Sequence, residues 1–319
     1  MAPVDRKNPK RAKSSESSYS YMEFVREFPD DDTCLEWLWR NRFAPDGENA
    51  YCPHCGDVRT FRRYEIGKQA WTCTSCSKRL YPTAGTIFHK SSTSLQLWFF
   101  AMWIMTSTRC GVSAKQLERE LGVTYKTAWR MFNLIRNRLM TQDDEGPLSG
   151  AVEVDETFIG GKIRESERRK FKAEGRSNLG PYTKPRQVVF GAVERGGRVR
   201  TAVIGSSRGY ALNYKIREFV LPGSMIYTDD WSGYNRLGGK SYTHKRINHS
   251  ERIYVEGDVH TQTIEGFFSL VKNGIRGVYH SVSAKWLQGH LNEYAWRYNR
   301  RDDPEAMFRL LLKRAAFTS

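Results

Sequence analysis

The residues best suited to chemistry are two aspartates that follow apolar stretches. Asp155 follows the alternating Val152 and Val154 in the strand-like stretch AVEVDETFIGG, and Asp229 ends the apolar stretch MIYTD. Each stretch predicts a core strand, and a carboxylate where a strand leaves its sheet is held on a rigid support. Mg²⁺ and Mn²⁺ prefer oxygen ligands, and two such ions bridged by carboxylates can activate a water and stabilise the leaving oxygen of a phosphodiester. The pair therefore predicts a site for two divalent ions, although either aspartate alone is more often a turn or cap residue.

Neighbouring carboxylates leave a choice at both aspartates. Glu153 lies two residues before Asp155, so the two share a strand face. Glu153 is therefore a candidate for contacting a metal-binding side chain rather than the metal itself. Glu156 points to the opposite face. Asp230 would replace Asp229 if the strand ended one residue later. We prefer Asp229 because the apolar run ends there.

A third set of polar residues occurs in the stretch HTQTIEGFFSLVK, residues 260–272, which predicts a helix packed on the sheet. Glu265 and Lys272 are seven positions apart, nearly two full turns, and so lie on one face. Taken alone, that face is more simply the solvated side of an amphipathic helix. Next to the two aspartates, however, Glu265 would be a metal ligand and Lys272 a nearby cation. His260 lies just before the helix or in its first turn, and because Mg²⁺ accepts imidazole reluctantly, ligand hardness favours Glu265 as the third ligand.

Four of the six cysteines form two Cys-x-x-Cys pairs, Cys52 with Cys55 and Cys73 with Cys76. Between the pairs lie 17 residues with alternating, strand-like stretches. This spacing predicts a zinc ribbon, in which each pair binds one side of a tetrahedral Zn²⁺. The alternative is a chance pairing of buried thiols. Four thiolates leave no open coordination position, so we expect a structural rather than a catalytic zinc.

The stretch after the ribbon predicts helices. Residues 93–106 are rich in large apolar side chains, which indicates a buried helix. The next stretch predicts a helix capped by Ser113, a turn at Gly122 and a second helix beginning at Thr124. A helix, a short turn containing glycine and a basic helix form the pattern of a helix-turn-helix, although plain helical hairpins look similar.

The second of these predicted helices carries four basic residues, Lys126, Arg130, Arg136 and Arg138. A recognition helix contacts DNA through its exposed side chains, and we expect Lys126 and Arg130 to do so.

The periodicity changes from helical to alternating after the polar linker DDEGPLSG. Three strands, a helix, a strand and a further helix follow, and two of the strands form a hairpin that turns at Gly196–Gly197. This order predicts an α/β domain with a mixed sheet covered by helices. Between the first strand and the hairpin lies a basic stretch in which Arg168 and Arg169 are expected to contact DNA backbone.

The composition points to a polyanionic partner. The formal net charge is +16, from 51 lysines and arginines against 35 acidic residues, and the basic residues are spread along the chain. Cations that neutralise phosphates gain from counterion release, although a merely soluble basic protein has the same charge. No stretch approaches the roughly 20 apolar residues of a membrane span, and the N-terminal residues lack the apolar core of a signal peptide. We therefore expect no membrane association and a cytoplasmic, nucleoid-associated location.

These patterns divide the chain into six segments. They are a disordered basic tail at 1–19, a short helical segment at 20–46, a zinc ribbon at 47–90, a helical DNA-binding region at 91–145, a catalytic domain at 146–304 and a C-terminal helix at 305–319.

In combination, the motifs resemble a known family. They are PDDDTCLEWLWRNRF, CPHCG, CTSC, VEVDETFIGGK, YTDDWSGY, HTQTIEGFFSLVKNGIRGVYHSVS and LNEYAWRYNRR, and they extend from about Phe28 to Arg301. The chain resembles the DDE transposases of bacterial insertion sequences, and more narrowly the zinc-ribbon-bearing ISXO-type group, which is related to the Merlin transposons.

The resemblance implies an RNase H-like catalytic domain that binds two divalent ions. Asp155 and Asp229 match the first two ligands of the family, Glu265 the third, and Lys272 a basic residue that contacts the terminal DNA. The sequence departs from the family pattern at Asp230, where glycine is usual. Some members use Asn or His as the third ligand, at the position that His260 occupies here.

The activity implied is hydrolysis of a phosphodiester at each transposon end, followed by attack of the new 3′-hydroxyl on target DNA. The ribbon and the helix-turn-helix would read the terminal inverted repeats, in a homo-oligomeric synaptic complex. Two other classes stay open. One is a non-catalytic, zinc-containing DNA-binding regulator derived from a transposase; the other is an RNase H-like nuclease that cleaves without joining. The three carboxylates argue against the regulator.

Overall fold

A computed structural model describes residues 19–63, 69–108, 110–142, 146–160, 165–175, 186–235, 237, 241–247, 261–303 and 305–318. The chain divides into two compact units, Met1–Met140 with Arg300–Ser319, and Thr141–Asn299. None of the described helices has the length and apolarity needed to cross a lipid bilayer.

The first unit contains six α-helices and four strands among its described residues. The helices are α1 (Tyr21–Glu27), α2 (Asp31–Arg42), α3 (Leu95–Ser107), α4 (Ala114–Leu121), α5 (Tyr125–Leu134) and α10 (Met307–Phe317); the strands are β1 (Asn49–Cys52), β2 (Asp57–Arg62), β3 (Trp71–Cys73) and β4 (Arg79–Leu80).

Aromatic packing forms the core of the first unit. The predicted buried helix is confirmed as α3, where Trp98 and Phe99 are fully buried. The ring of Phe28 lies 5.1 Å from that of Phe99, and Phe308 of α10 completes the cluster at 6.0 Å from Phe28. Helix α2 begins at Asp31, and the Asp30 carboxylate accepts a hydrogen bond from the Thr33 N–H at the helix N-terminus.

The helical hairpin after α3 has the predicted caps. The Ser113 hydroxyl accepts from the Gln116 N–H at the start of α4, and Gly122 ends that helix with a φ of +63°. A side chain would be strained in this left-handed conformation, which glycine adopts freely. Thr124 caps α5 in the same way as Ser113 caps α4. Arg136 departs from the expected basic surface, because it is only 1% exposed and its guanidinium lies over the Phe132 ring.

The second unit contains a five-stranded sheet with helices. Its elements are β5 (Ala151–Ile159), α6 (Glu165–Ala173), β6 (Gln187–Glu194), β7 (Val199–Ile204), α7 (Gly209–Phe219), β8 (Met225–Asp229), β9 (Thr243–Ile247), α8 (Gln262–Gly274) and α9 (Ala284–Asn299).

The strand order of this sheet is β7-β6-β5-β8-β9. Strands β5, β6 and β7 pair antiparallel, whereas β5 with β8 and β8 with β9 pair parallel. The predicted mixed sheet is therefore confirmed, as is the β6–β7 hairpin, whose turn contains Gly196 at a φ of +71°. The parallel pairs need crossover connections, and α7 supplies the one that leads into β8.

Two apolar cores lie on opposite faces of the sheet. Val152 and Val154 of β5 pack with Leu212 and Ile216 of α7. Residues of β6 on the other face pack with α8 and α9, including Val189 with Ile264 and Leu291. The alternation of β5 therefore directs Glu153 and Asp155 toward the α8 face.

Gly191 of β6 allows α8 to approach the sheet closely. Gly191 is paired directly with Asp155, and a Cβ atom placed on it would lie 2.8 Å from Ile264 and 2.7 Å from Phe268 of α8. Both distances are shorter than real carbon contacts, so a side chain at this position requires the Ile264 and Phe268 side chains to shift.

We expect Gly191→Ala to lower the free energy of unfolding by about 1–3 kcal/mol, because overpacking a filled core costs that much. Denaturant unfolding of the full chain measures the effect. Gly205→Ala is the matched control, since a Cβ there meets nothing within 4 Å. Equal stability of the two variants would contradict the close packing of α8.

Candidate active site

The pairing of β5 with β8 places the two predicted aspartates level with each other. The parallel register runs to Glu153 opposite Tyr227. Two residues further along, β5 has Asp155 and β8 has Asp229. Strand β5 continues to Ile159 beside β6, so the expectation that Asp155 ends its strand is wrong. Asp155 lies in mid-strand, at the level where its neighbour β8 ends, and this opening at the sheet edge exposes it to a ligand.

Crowding of like charges marks the same position. Burial, followed by the nearby charges of Asp229, Glu156 and Glu265, raises the pKa of Asp155 from an ordinary 3.8 to about 8. Burial and the charge of Asp229 also raise the pKa of Glu156, although a hydrogen bond from the Tyr234 hydroxyl opposes this shift. Carboxylates that disfavour one another's ionisation in this way form a site suited to a cation.

Glu265 and Lys272 of α8 line one cleft together with Asp155. The cleft has a volume of about 320 Å³, and Arg276 adds a second cation to its wall. The Glu265 carboxylate is exposed and accepts a hydrogen bond of 2.9 Å from the Thr261 hydroxyl in the turn before α8. Carboxylates and cations thus face the same space from the strand and the helix.

The three carboxylates are spread more widely than the ligands of a single ion. Within the described part of the chain, the only group of three or more such ligands with atoms all within 4.8 Å of one another is the cysteine cluster. Two ions about 3.5–4 Å apart need ligands spread over more space than one ion does. His260, the rival third ligand, lies outside the described residues.

Glu153 connects β5, which carries Asp155, to α8, which carries Glu265. It is fully buried, and its carboxylate accepts hydrogen bonds from the N–H groups of Thr263 at 2.8 Å and Ile264 at 3.2 Å. A carboxylate at a helix N-terminus satisfies free N–H groups and is stabilised by the helix dipole. The sequence places Glu153 on the face of Asp155, but only the structure identifies these partners on α8.

Arg195 completes the environment of Glu153. Its guanidinium donates a hydrogen bond of 2.9 Å to the Glu153 carboxylate and lies 3.9 Å from the centre of the Tyr227 ring. Tyr227 is the β8 residue paired with Glu153. The buried charge of Glu153 is therefore paired and hydrogen-bonded on both sides, which burial of a carboxylate requires.

The four predicted zinc ligands come together in the first unit. The sulfur atoms of Cys52 and Cys76 lie 3.6 Å apart, and those of Cys55 and Cys73 lie 4.0 Å apart. Four thiolates bound to a tetrahedral Zn²⁺ at about 2.3 Å have sulfur atoms about 3.8 Å apart, whereas a disulfide needs about 2.05 Å. The cluster fits zinc and no disulfide.

Packing around the ribbon supports this cluster. The strands pair antiparallel in the order β1-β2-β3-β4; β2 lies between the two cysteine pairs, and β3 ends at Cys73. Trp71 of β3 stacks on Trp39 of α2 at 4.7 Å, so the ribbon shares an aromatic core with a helix of its own unit.

The predicted DNA contacts are only partly described. Lys126 and Arg130 are exposed on α5, one helical turn apart, and Arg169 is exposed on α6. The side chain of Arg168 lies outside the described residues.

Comparison with known proteins identifies relatives of both units. Residues 147–299 match the model of the ISXO2-like transposase domain, a range that nearly coincides with the second unit. An uncharacterised protein of the transposable element ISH50 from Halobacterium salinarum is 28% identical over 86% of the chain and 91% of its own length. An uncharacterised transposase-like protein of Haemophilus influenzae is 29% identical over 32% of the chain and 81% of its own length. No solved structure was found to match the chain.

We expect Glu153→Ala to lower the free energy of unfolding by roughly 3–5 kcal/mol, because removing one partner of a buried ion pair leaves the other charge unpaired. Thermal and denaturant unfolding measure the loss. Glu218→Ala removes a partly exposed carboxylate paired with Lys215 and serves as the control, with an expected loss below about 1 kcal/mol. If the two substitutions cost the same, Glu153 does not anchor α8.

The raised pKa of Asp155 predicts a pH-dependent stability. The unfolded chain releases this proton near pH 4, whereas the native chain keeps it to about pH 8. The native state thus binds more protons in this window, so the contribution of Asp155 to stability falls as the pH rises from about 4 to 8 and then levels off. Asp155→Asn removes the charge and should therefore be more stable than wild type at pH 9 without added divalent ions.

Melting curves recorded with and without Mg²⁺ measure this difference. Added Mg²⁺ should raise the melting temperature of the wild type at pH 9 and leave that of Asp155→Asn nearly unchanged. An Asp155→Asn variant that melts below wild type in the absence of divalent ions would contradict the crowding of charges at this site.

Proposed function

The chain belongs to the insertion-sequence transposases of the ISXO2-like group, and from this premise we propose that it cleaves transposon ends and joins them to target DNA with two divalent ions. The observation that carries the proposal is the position of Asp155. It is level with Asp229 across two parallel strands and shares a cleft with Glu265 and Lys272. The neighbouring carboxylates raise the pKa of Asp155, which supports a site for cations.

Asp155, Asp229 and Glu265 are the proposed ligands of two Mg²⁺ or Mn²⁺ ions. Such ions, when bound, lower the pKa of a water and stabilise the leaving oxygen of an in-line displacement. Lys272 and Arg276 face the same cleft and would bind phosphates of the reacting strand. Hydrolysis and strand transfer both use an oxygen nucleophile on phosphorus, so one set of residues serves both steps.

The strand order supports an RNase H-like catalytic domain. An antiparallel β5–β6–β7 meander is followed by parallel β8 and β9, with α7 in the crossover to β8. The proposed ligands come from the central strand β5, its parallel neighbour β8 and the later helix α8.

DNA binding is proposed for three parts of the chain. The zinc ribbon and the α4–α5 hairpin would read the transposon ends, with Lys126 and Arg130 on the exposed side of α5. Arg168 and Arg169 of α6 would contact DNA backbone. We further propose a homo-oligomer that holds both ends, acting at the nucleoid.

The proposal is tested by incubating the zinc-loaded full chain with DNA that carries the ends of its own element. We expect Mg²⁺-dependent nicking and a strand-transfer product from the wild type. Glu265→Gln should reduce both rates at least about a hundredfold, because a metal centre contributes several kcal/mol of charge stabilisation to the transition state. His260→Ala should retain most activity.

Glu36→Gln is the control, since this glutamate forms a partly exposed ion pair with Arg40 on α2. Full activity of Glu265→Gln together with loss in His260→Ala would make the histidine the third ligand. Absence of any metal-dependent cleavage by the wild type would favour a non-catalytic DNA-binding regulator, and cleavage without joining would favour a nuclease.

A further inference from the structure

A second cleft lies beside Asp229 and has no role in the chemistry described above. It has a volume of about 850 Å³ and lies between the start of α7 and the turn after β8. Its lining includes three aromatic residues and two arginines, Tyr210, Tyr214, Trp231, Arg208 and Arg217. We call it the α7 cleft.

The aromatic residues of α7 lie on the solvent side of the helix. Tyr210 is 72% exposed and Tyr214 is 67% exposed, and they follow one another at the four-residue spacing of one helix face. The opposite face, with Leu212 and Ile216, fills the core against the sheet. The tyrosines therefore contribute little to the folded core, and exposed clustered aromatic rings commonly mark a binding surface.

Trp231 is held in place although its indole is 48% exposed. The indole N–H donates a hydrogen bond of 3.3 Å to the Ser207 carbonyl oxygen. The ring lies directly against Gly233, where a Cβ atom would come within 2.7 Å of it. An exposed ring that is fixed before binding loses little conformational entropy on contact with a ligand.

A hydrogen bond connects Trp231 to the proposed catalytic centre. Its backbone N–H donates a hydrogen bond of 3.1 Å to the Asp229 carboxylate. A ligand stacked on Trp231 is thus next to the strand on which Asp229 would act.

The charge of the α7 cleft fits a polyanion. Arg208 and Arg217 are exposed, and within the described ranges neither guanidinium has a carboxylate partner. The net charge of +16 favours DNA over an average protein surface as the occupant.

We propose that the α7 cleft binds unpaired nucleotides of the DNA strand that passes Asp229. Bases stack on Trp231, Tyr210 and Tyr214, and the two arginines bind the flanking phosphates. Aromatic platforms inside a positive groove are the usual means of holding single-stranded DNA without sequence preference. This inference rests on the proposed function, because that function supplies the strand at Asp229.

Fluorescence anisotropy on two labelled duplexes tests the inference in the absence of Mg²⁺. The duplexes share one double-stranded sequence, and one carries a short unpaired extension at an end. The wild type should bind the extended duplex more tightly. Trp231→Ala and Tyr214→Ala should each weaken binding of the extended duplex by about tenfold, because stacking of one base contributes about 1–3 kcal/mol. Binding of the blunt duplex should not change.

Two further variants separate stacking from folding. Trp231→Phe keeps a ring and should bind the extended duplex nearly as wild type does. Phe317→Ala removes a ring that is 67% exposed on α10 and should change neither affinity. Tyr214 is 67% exposed, so its variant stays informative even if Trp231→Ala lowers the melting temperature.

Several outcomes would overturn the inference. They are equal wild-type affinity for both duplexes, an unchanged preference in Trp231→Ala and Tyr214→Ala, and a loss of self-association in these variants on size exclusion, which would show that a second copy covers the cleft. Mg²⁺-dependent cleavage by the wild type is measured separately, so failure of the proposed function is distinguished from failure of this binding site.

Discussion

Repulsion between carboxylates gathered at one edge of a mixed sheet is the constraint on which the rest of the second unit depends. Burial of the Asp155 side chain, together with the nearby charges of Asp229, Glu156 and Glu265, raises its pKa to about 8. Such an arrangement is unfavourable in isolation, because burial and like charges both oppose ionisation. A divalent cation would reverse the sign of these interactions. We therefore expect the carboxylates of this unit to favour cation binding at the expense of its stability without a cation.

Three packing features hold the carboxylates together against this repulsion. The β5–β8 register sets Asp155 level with Asp229. Gly191, opposite Asp155, leaves room for α8 to lie against the sheet. Glu153 then joins β5 to the first turn of α8. Since the helix is held at its N-terminus and along its apolar face, Glu265 in its first turn is brought to the cleft.

The sequence predicts the parts of this site that depend on local patterns. Strand alternation places Glu153 and Asp155 on one face, and the seven-residue spacing places Glu265 and Lys272 on another shared face. Helix caps such as Ser113 can likewise be predicted from the local sequence. Contacts between distant segments cannot be predicted in this way, because Glu153 and Thr263 are 110 positions apart and no local pattern links them. The burial of Arg136 likewise appears only in the structure.

Iron-directed cleavage of the polypeptide tests the central claim, that Asp155, Asp229 and Glu265 together hold divalent metal. Fe²⁺ bound in place of Mg²⁺ generates hydroxyl radicals with ascorbate and peroxide, and these cut the chain beside the ion. Mass spectrometry of the fragments should show cuts near all three residues, suppressed by excess Mg²⁺ and absent in Asp155→Asn. Cuts that cluster elsewhere, or that persist unchanged in excess Mg²⁺, would contradict the account.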